Sequence, residues 1–126
     1  EIQEKNIKER VRRIIKKYKP KKIYVTSEFD PHPDHRAVNE AVMDVINDLD
    51  YKADVYAYEV WNVVKENKPV TYVDISEYFK AKLAMMKAFR SQVHFVYTLF
   101  IPAYIRAKLY GMKNNCKYAE KFYKIK

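Results

Sequence analysis

Three residues in one short segment, His32, Asp34 and His35, have the types and the spacing of a metal or catalytic site. The chain has only three histidines, and two of them fall within this segment. Neutral imidazole is the commonest metal ligand, and zinc accepts both histidine nitrogen and carboxylate oxygen. A neighbouring aspartate can orient an imidazole, and a second histidine can act as a general acid or stabilise an oxyanion.

The same spacing also has a purely structural interpretation. Two surface histidines occur by chance, and Asp34 is equally suited to cap a helix. A catalytic zinc needs three protein ligands and an open position, and this segment offers two histidines with Asp34, Asp30 and Glu28 as optional carboxylates. The third histidine, His94, lies in an apolar run and is expected to be a core residue. Spacing alone leaves both interpretations open.

The elements predicted around the segment place it where α/β proteins bind ligands. The β-rich run 22–26 predicts a strand, and apolar residues at helical spacing predict a helix over 34–49, with a loop at 27–33 between them. Asp34 is expected to be the N-cap of this helix or an acid in its first turn. Ligands of open α/β sheets bind beyond the carboxyl ends of the strands, and a helix N-terminus adds positive potential there.

The remaining elements predict a layered α/β domain. Apolar residues at helical spacing predict a helix over 7–18, and two β-rich runs predict strands at 53–61 and 70–73. Neither an internal repeat nor a linker composition divides the sequence, so residues 1–126 are expected to form a single domain.

The C-terminal third has a less regular pattern. Asp74 with Glu77 three residues later resembles a capping box and predicts a helix start. The apolar face of this helix is expected to contain Phe79, Leu83, Met86 and Val93. Further helical turns are expected at 103–110 and 118–123, after Pro102 breaks the apolar run.

The composition restricts the class of protein more than its activity. The net charge of +9 can attract nucleic acid or phosphorylated ligands, but a Lys-rich solvated surface is the preferred interpretation because no nucleic-acid-binding motif accompanies it. Cys116 is the only cysteine, which excludes an intrachain disulfide and fits a reducing, cytoplasmic compartment. The apolar run 93–105 is too short to span a bilayer, and no signal peptide is recognisable.

The segment H-P-D-H-R-A-V-N-E-A-V, which begins at His32, resembles the second signature of the PIG-L/LmbE-like de-N-acetylases. Weaker pieces follow in the order found in that family, so that the resemblance covers roughly residues 22 to 123. They are Tyr58-Glu59-Val60-Trp61, Asp74-Ile75-Ser76, the set Lys82, Ala88, Ser91 and Gln92, and Tyr118-Ala119-Glu120-x-Phe122.

The resemblance implies a zinc-dependent hydrolase that removes acetyl from an N-acetylglucosamine-type or related N-acetyl sugar. His35 would be a zinc ligand. His32 would be the catalytic histidine, protonated to stabilise the oxyanion or to assist the leaving amine, and Asp34 would hold and tune His32. The implied fold is a Rossmann-like layered sheet with helices. The substrate stays open among glycolipids, sugar-thiol precursors, nucleotide-linked sugars and oligosaccharides.

The family's first signature, A-H-P-D-D-E, is absent from this sequence. It normally supplies two zinc ligands and the general base, so the chain corresponds to the C-terminal half of the family's domain. The remaining zinc ligands are expected from an N-terminal half-domain, on a longer precursor or on another chain. The family often has histidine where this chain has Phe89. The start at Glu1 and the single glycine are also expected of a fragment or a processed chain.

Two other functions remain open. The chain is alternatively a non-catalytic α/β binding or assembly module that keeps the H-P-D-H motif without activity, or a basic nucleic-acid binder with salt-dependent affinity. A half-domain would expose a sheet edge and apolar faces. Whether the chain is half of a deacetylase or a binding module, we therefore expect it to pair with another chain or to form an oligomer.

Overall fold

The computed structural model describes residues 4–59, 67–88 and 93–126, without the side chains of 4–6 and 93–99. The described part contains four helices and four strands. In chain order they are α1 (Glu4–Tyr18), β1 (Lys22–Thr26), α2 (Pro33–Asp48), β2 (Asp54–Tyr58), β3 (Val70–Asp74), α3 (Phe79–Ala88), α4 (Val93–Lys113) and β4 (Ala119–Lys124). The predicted α/β class is confirmed.

The strands form one sheet in the order β1-β2-β4-β3. β1 and β2 are parallel, with Lys22 opposite Asp54 and Thr26 opposite Tyr58, and α2 connects them as the crossover helix of a βαβ unit. β4 runs antiparallel to β2, with Tyr56 opposite Lys124. The parallel pair therefore ends on the side of the sheet where α2 begins.

The chain forms two compact units, and the first comprises residues 1–70 and 122–126. Its core is aliphatic. Side chains from α1, β1, α2 and β2 meet there, and the buried ones are Ile15, Val25, Val42, Val45, Ile46 and Val55. The apolar stripe predicted on α2 is confirmed in three of these residues, and the predicted strand 22–26 has the observed bounds.

The second unit comprises residues 71–121 and packs differently. Among the described residues of this unit, the most buried large side chain is Phe79, whose ring stacks on Tyr118 with centroids 3.9 Å apart and is tilted against Tyr104. In the part of α4 whose side chains are described, the small residues Ala103, Ala107 and Gly111 are buried, one turn apart, whereas most of the large residues between them are exposed.

Three predictions for this second unit are wrong. Asp74 ends β3 and accepts hydrogen bonds from the backbone N–H and the hydroxyl of Ser76, so it caps a turn, and α3 begins only at Phe79. Pro102 lies inside α4, which continues to Lys113. Residues 118–123 are not helical, because residues 119–124 form β4 and part of this strand pairs with β2.

Other predictions need smaller changes or lie outside the described residues. Val93 is the first residue of α4 and not part of α3, and β2 ends at Tyr58, with Val60 and Trp61 outside the described residues. No helix in the described part of the chain is long and apolar enough to cross a membrane.

Candidate functional site

The candidate site lies in the loop between β1 and α2, at the carboxyl end of a parallel strand as predicted. The loop is held by polar contacts close to its start. Ser27, which is buried, accepts a hydrogen bond from the backbone N–H of Phe29 on its hydroxyl and one from Asp30 on its carbonyl. The chain therefore turns immediately after the strand.

Hydrogen bonds also fix the first turns of α2 against the end of β1. The hydroxyl of Thr26 donates to the carbonyl of His35 at 2.6 Å, and the buried amide of Asn39 donates to the carbonyl of Thr26 at 2.5 Å. The guanidinium of Arg36 donates to the carbonyls of Asp30 and Pro31. Because these bonds join both sides of the loop, the backbone that carries both histidines has a defined position.

His32 is the N-cap of α2, a role that the sequence had suggested for Asp34. Its Nδ1 accepts a hydrogen bond from the backbone N–H of Asp34 at 3.2 Å, and Pro33 occupies the first helical position. Asp34 is an acid in the first turn, the other position predicted for it, and its carboxylate lies 3.8 Å from Nδ1 of His32. In the neutral ring the proton is therefore on Nε2, because Nδ1 is an acceptor.

His35 lies in the first turn of α2, and its ring centroid is 4.8 Å from that of His32. Its Nδ1 is buried and has no partner in hydrogen-bond geometry, although Oδ1 of Asp30 lies 3.0 Å from it. The side chain is 28% exposed. With Nδ1 turned toward the protein, Nε2 is the nitrogen available to a ligand.

Asp30 is the acid that the sequence suggested only as an optional ligand. Asp30 is only 4% exposed. Its Oδ1 also accepts a hydrogen bond from the backbone N–H of His32 at 2.8 Å. Its position two residues before His32 is the spacing of an Asx turn, which is the sequence signal that could have identified it. Glu28, the other optional carboxylate, is exposed.

One histidine of this site, His35, is oriented as a zinc ligand. The described residues do not supply the further ligands that a zinc site needs. The orientation of His35 suits a metal, because its buried Nδ1 faces a carboxylate and its Nε2 is left open. Among the described residues, no group of three or more His, Cys, Asp or Glu side chains is placed to hold a metal ion. Further ligands would have to come from elsewhere.

The remaining residues named from the sequence lie elsewhere or outside the described residues. In the second unit, Lys82 forms an ion pair with Glu120, which brings together two of the weaker pieces of the resemblance. Ser91, Gln92 and Phe89 lie outside the described residues, as does the side chain of His94, whose backbone is part of α4.

A family model described as PIG-L, GlcNAc-PI de-N-acetylase, matches residues 1–46 of this chain. The matched residues contain α1, β1, the loop and nearly all of α2, and therefore the whole H-P-D-H segment. No curated protein sequence matches the chain. The predicted resemblance to the PIG-L family is thereby confirmed.

Solved structures share the fold of nearly the whole chain. The 4-carboxy-2-hydroxymuconate hydratase GalB of Pseudomonas putida has a TM-score of 0.75 and 18% identity over 97% of this chain and 59% of that one. The N,N'-diacetylchitobiose deacetylase of Pyrococcus horikoshii has a TM-score of 0.68 and 24% identity over 93% and 50%. The zinc-inhibited form of teicoplanin deacetylase has a TM-score of 0.56 and 13% identity over 95% and 50%. This chain thus spans 50 to 59% of the length of these structures.

Proposed function

We propose that this chain forms one side of the active site of a zinc-dependent deacetylase that acts on an N-acetylglucosamine-type or related N-acetyl sugar. The observation that carries the proposal is the placement of His32 and His35. The two rings lie 4.8 Å apart beyond the carboxyl end of β1, within the residues that the PIG-L family model matches. Two of the solved structures with this fold are deacetylases.

In this proposal His35 is the metal ligand of the chain, through Nε2. Zinc, when bound, would lower the pKa of a coordinated water and polarise the amide carbonyl of the substrate. The described residues offer no second and third ligand around His35. We therefore place the remaining ligands and the general base in an N-terminal half-domain, on the same polypeptide or on another chain, which is also the partner we propose.

His32 acts as a proton donor in the proposed reaction. Because Nδ1 accepts the N–H of Asp34, the ring presents Nε2–H as its donor, and the side chain is 56% exposed. This N–H can stabilise the negative charge that develops on the carbonyl oxygen when water adds to the acetyl carbon. When the ring is doubly protonated, its Nδ1–H becomes a donor. The carboxylate of Asp34, whose Oδ2 lies 3.8 Å from Nδ1, is then its ion-pair partner. As the C–N bond breaks, the doubly protonated ring gives its Nε2 proton to the leaving nitrogen, the general base of the proposed half-domain having taken a proton from the attacking water, and the acetyl group is released as acetate.

The hydratase GalB shows why the fold alone does not select the reaction. GalB adds water to a different kind of substrate on a closely similar framework. Deacetylation is favoured for this chain because the family model that matches the H-P-D-H segment is one of de-N-acetylases. The two reactions share an attack by water and differ in whether a bond to nitrogen breaks, which an assay can distinguish.

A basic nucleic-acid surface receives less support from the structure. Lys21, Lys52 and Lys126 line an open groove with Asp54 near the amino ends of β1 and β2, away from the histidines. Lys52 pairs with Asp50 at 2.6 Å, and Lys126 donates to Asn47 at 2.9 Å. Lysines that are engaged within the protein are less available to phosphates, so we do not propose this function.

The reaction class is tested with the complete enzyme, meaning this chain together with the half-domain that supplies the other ligands. We expect acetate and free amine in equal amounts from N-acetylglucosamine or N,N'-diacetylchitobiose, loss of activity with a chelator and recovery with zinc. The variant E28Q, which changes an exposed loop acid, should behave like the wild type. Hydration of an unsaturated acid without release of acetate from any N-acetyl sugar would contradict the proposal.

A further inference from the structure

The carboxylate of Asp30 is buried beside the two histidines, and among the described residues neither lysine nor arginine pairs with it. The residue is 4% exposed, and its two recorded side-chain contacts are the backbone N–H of His32 and Nδ1 of His35. In the described part of the chain, neither lysine nor arginine contacts this carboxylate. Arg36 lies nearby, but within Asp30 it donates to the backbone carbonyl and not to the carboxylate. A buried carboxylate is costly unless polar groups compensate it, so the two histidine contacts need an explanation.

We propose that Asp30 is the positioning residue of His35: its carboxylate accepts the Nδ1–H of the neutral ring and thereby presents the unprotonated Nε2 to a metal. This proposal rests on the proposed function, in which His35 is the ligand. Histidine ligands generally donate their second N–H to a carboxylate, a carbonyl or water, and this contact fixes the tautomer and the ring orientation. At 3.0 Å, Nδ1 and Oδ1 are already at hydrogen-bond distance, and this buried nitrogen has no other partner among the described residues.

Asp30 is better placed for this role than Asp34, the aspartate within the motif. Asp34 is 56% exposed and its carboxylate lies beside His32, not His35. The carboxylate of Asp30 is withdrawn from water, where hydrogen bonds are stronger than at the surface. Because its carbonyl is held by Arg36 and its N–H bonds the carbonyl of Ser27, the backbone of Asp30 is fixed as well.

The same oxygen of Asp30 connects the two histidines. Oδ1 receives the backbone N–H of His32 at 2.8 Å and lies 3.0 Å from Nδ1 of His35. One carboxylate therefore sets both the start of the helix, where His32 is the cap, and the orientation of the ring one turn later. Loss of this carboxylate should disturb the relative position of the two rings, not only that of His35.

The direct test is the tautomer of His35 in the metal-free chain, read from long-range ¹H–¹⁵N correlation spectra. The spectra are recorded at an alkaline pH at which the ¹⁵N shifts of His35 no longer change as the pH is raised, so that they report the neutral ring. We expect the Nδ1–H tautomer in the wild type and a shift to Nε2–H in D30A. D30N keeps a carbonyl oxygen as acceptor and should retain the Nδ1–H tautomer. Comparison with H35Q identifies which signals belong to His35. E28Q, which removes an exposed acid two residues away, should leave the spectrum unchanged.

The wild-type spectrum alone decides the contact, even if D30A does not fold. A wild-type His35 in the Nε2–H tautomer overturns the proposal, and so does a folded D30A that keeps the Nδ1–H tautomer. The proposal is supported if the wild type and D30N both have the Nδ1–H tautomer and D30A has lost it.

The zinc affinity of the complete enzyme then tests the consequence for metal binding. Loss of an outer carboxylate that orients a histidine ligand typically lowers metal affinity by about 10- to 100-fold. We expect this decrease in D30A and a smaller one in D30N, measured by competition with a chromophoric chelator. Equal affinity of D30A and wild type would overturn the role of Asp30. A wild type that binds no zinc would instead overturn the proposed function, while the tautomer still decides the contact between Asp30 and His35.

Discussion

The first unit packs around aliphatic side chains, whereas the second packs around aromatic rings and the small residues of one helix. In the first unit, valines and isoleucines of two helices and two strands meet, and the loop beyond β1 is fixed by hydrogen bonds. In the second unit, Phe79 lies between Tyr104 and Tyr118, and α4 buries alanines and a glycine. All the residues that we assign to chemistry belong to the first unit. The packing of this unit fixes the end of β1 and the start of α2, and these residues lie between and at those two positions.

The largest effect is expected when the aromatic core of the second unit is removed. Phe79→Ala should lower the free energy of unfolding by about 3–5 kcal/mol, since a buried ring and its cavity are involved. Phe79→Leu should recover little, because the stacking on Tyr118 depends on a flat ring. In the first unit, Ile46→Leu should cost less than about 1.5 kcal/mol, because aliphatic cores tolerate changes of shape at constant volume. Urea unfolding measures all three.

Equal tolerance of leucine at positions 46 and 79 would contradict the distinction between the two cores. The exposed Ile14 provides a control, since Ile14→Leu should leave the midpoint of unfolding unchanged.

A smaller effect is expected at Gly111, the only glycine of the chain. A Cβ atom there would lie 2.7 Å from the carbonyl oxygen of Cys116 and 2.8 Å from that of Lys117, and both are backbone atoms. Gly→Ala inside a helix normally stabilises by about 1 kcal/mol. Gly111→Ala should instead destabilise by about 1–3 kcal/mol, because the close approach of the backbone leaves no room. A stabilised variant in thermal unfolding would show that α4 does not need a small residue here, and Met112→Ala is the exposed control.

The smallest effects are expected from two surface acids, one in each unit. The hydrogen bond and the charge of Lys124 lower the pKa of Asp54, and hydrogen bonds from the side chain and backbone of Ser76 lower the pKa of Asp74. Both carboxylates then contribute stability above their unfolded pKa, near about 3.9, which is lost as the pH falls through the lower folded value. Added salt should weaken the contribution of Asp54, whose partner is charged, more than that of Asp74.

Melting temperatures of D54N and D74N between about pH 2 and pH 6 check this difference, at low and high salt. Extending the series above about pH 10 tests Lys124, whose pKa is raised by Asp54: its contribution is present below its unfolded pKa and is lost as the pH rises through the higher folded value. An identical response of both variants to salt would contradict the assignment of partners.

The sequence predicted the first unit better than the second, for physical reasons. β1 and α2 have local patterns that agree with their tertiary environment: a β-branched run at 22–26 and an apolar stripe that packs on it. The helix predicted at 118–123 failed because β4 is defined by its pairing with β2, more than 60 residues earlier, and no local pattern reports such a contact.

α4 shows a different reason for failure. From Ile101 onward, most of its large apolar residues are exposed and its small ones are buried, so a search for a large apolar face finds the wrong side of this part of the helix. Pro102 lies inside this helix although proline removes one backbone hydrogen bond there, so its local preference to end a helix does not decide the structure. At the site, types and spacing made His32 and His35 candidates, and the resemblance to the PIG-L family gave them roles. The role of His32 as helix cap and the burial of Asp30 required the structure.

The central claim is that the two histidines have different roles, with His35 binding the metal and His32 donating a proton. The most direct test is the zinc content of H32A and H35A in the complete enzyme, measured beside acetate release in the same samples. We predict that H35A loses both zinc and activity, whereas H32A keeps its zinc and loses about 10²- to 10⁴-fold in rate, as expected for a general acid. Full zinc content in H35A, or loss of zinc from H32A, would contradict the assignment.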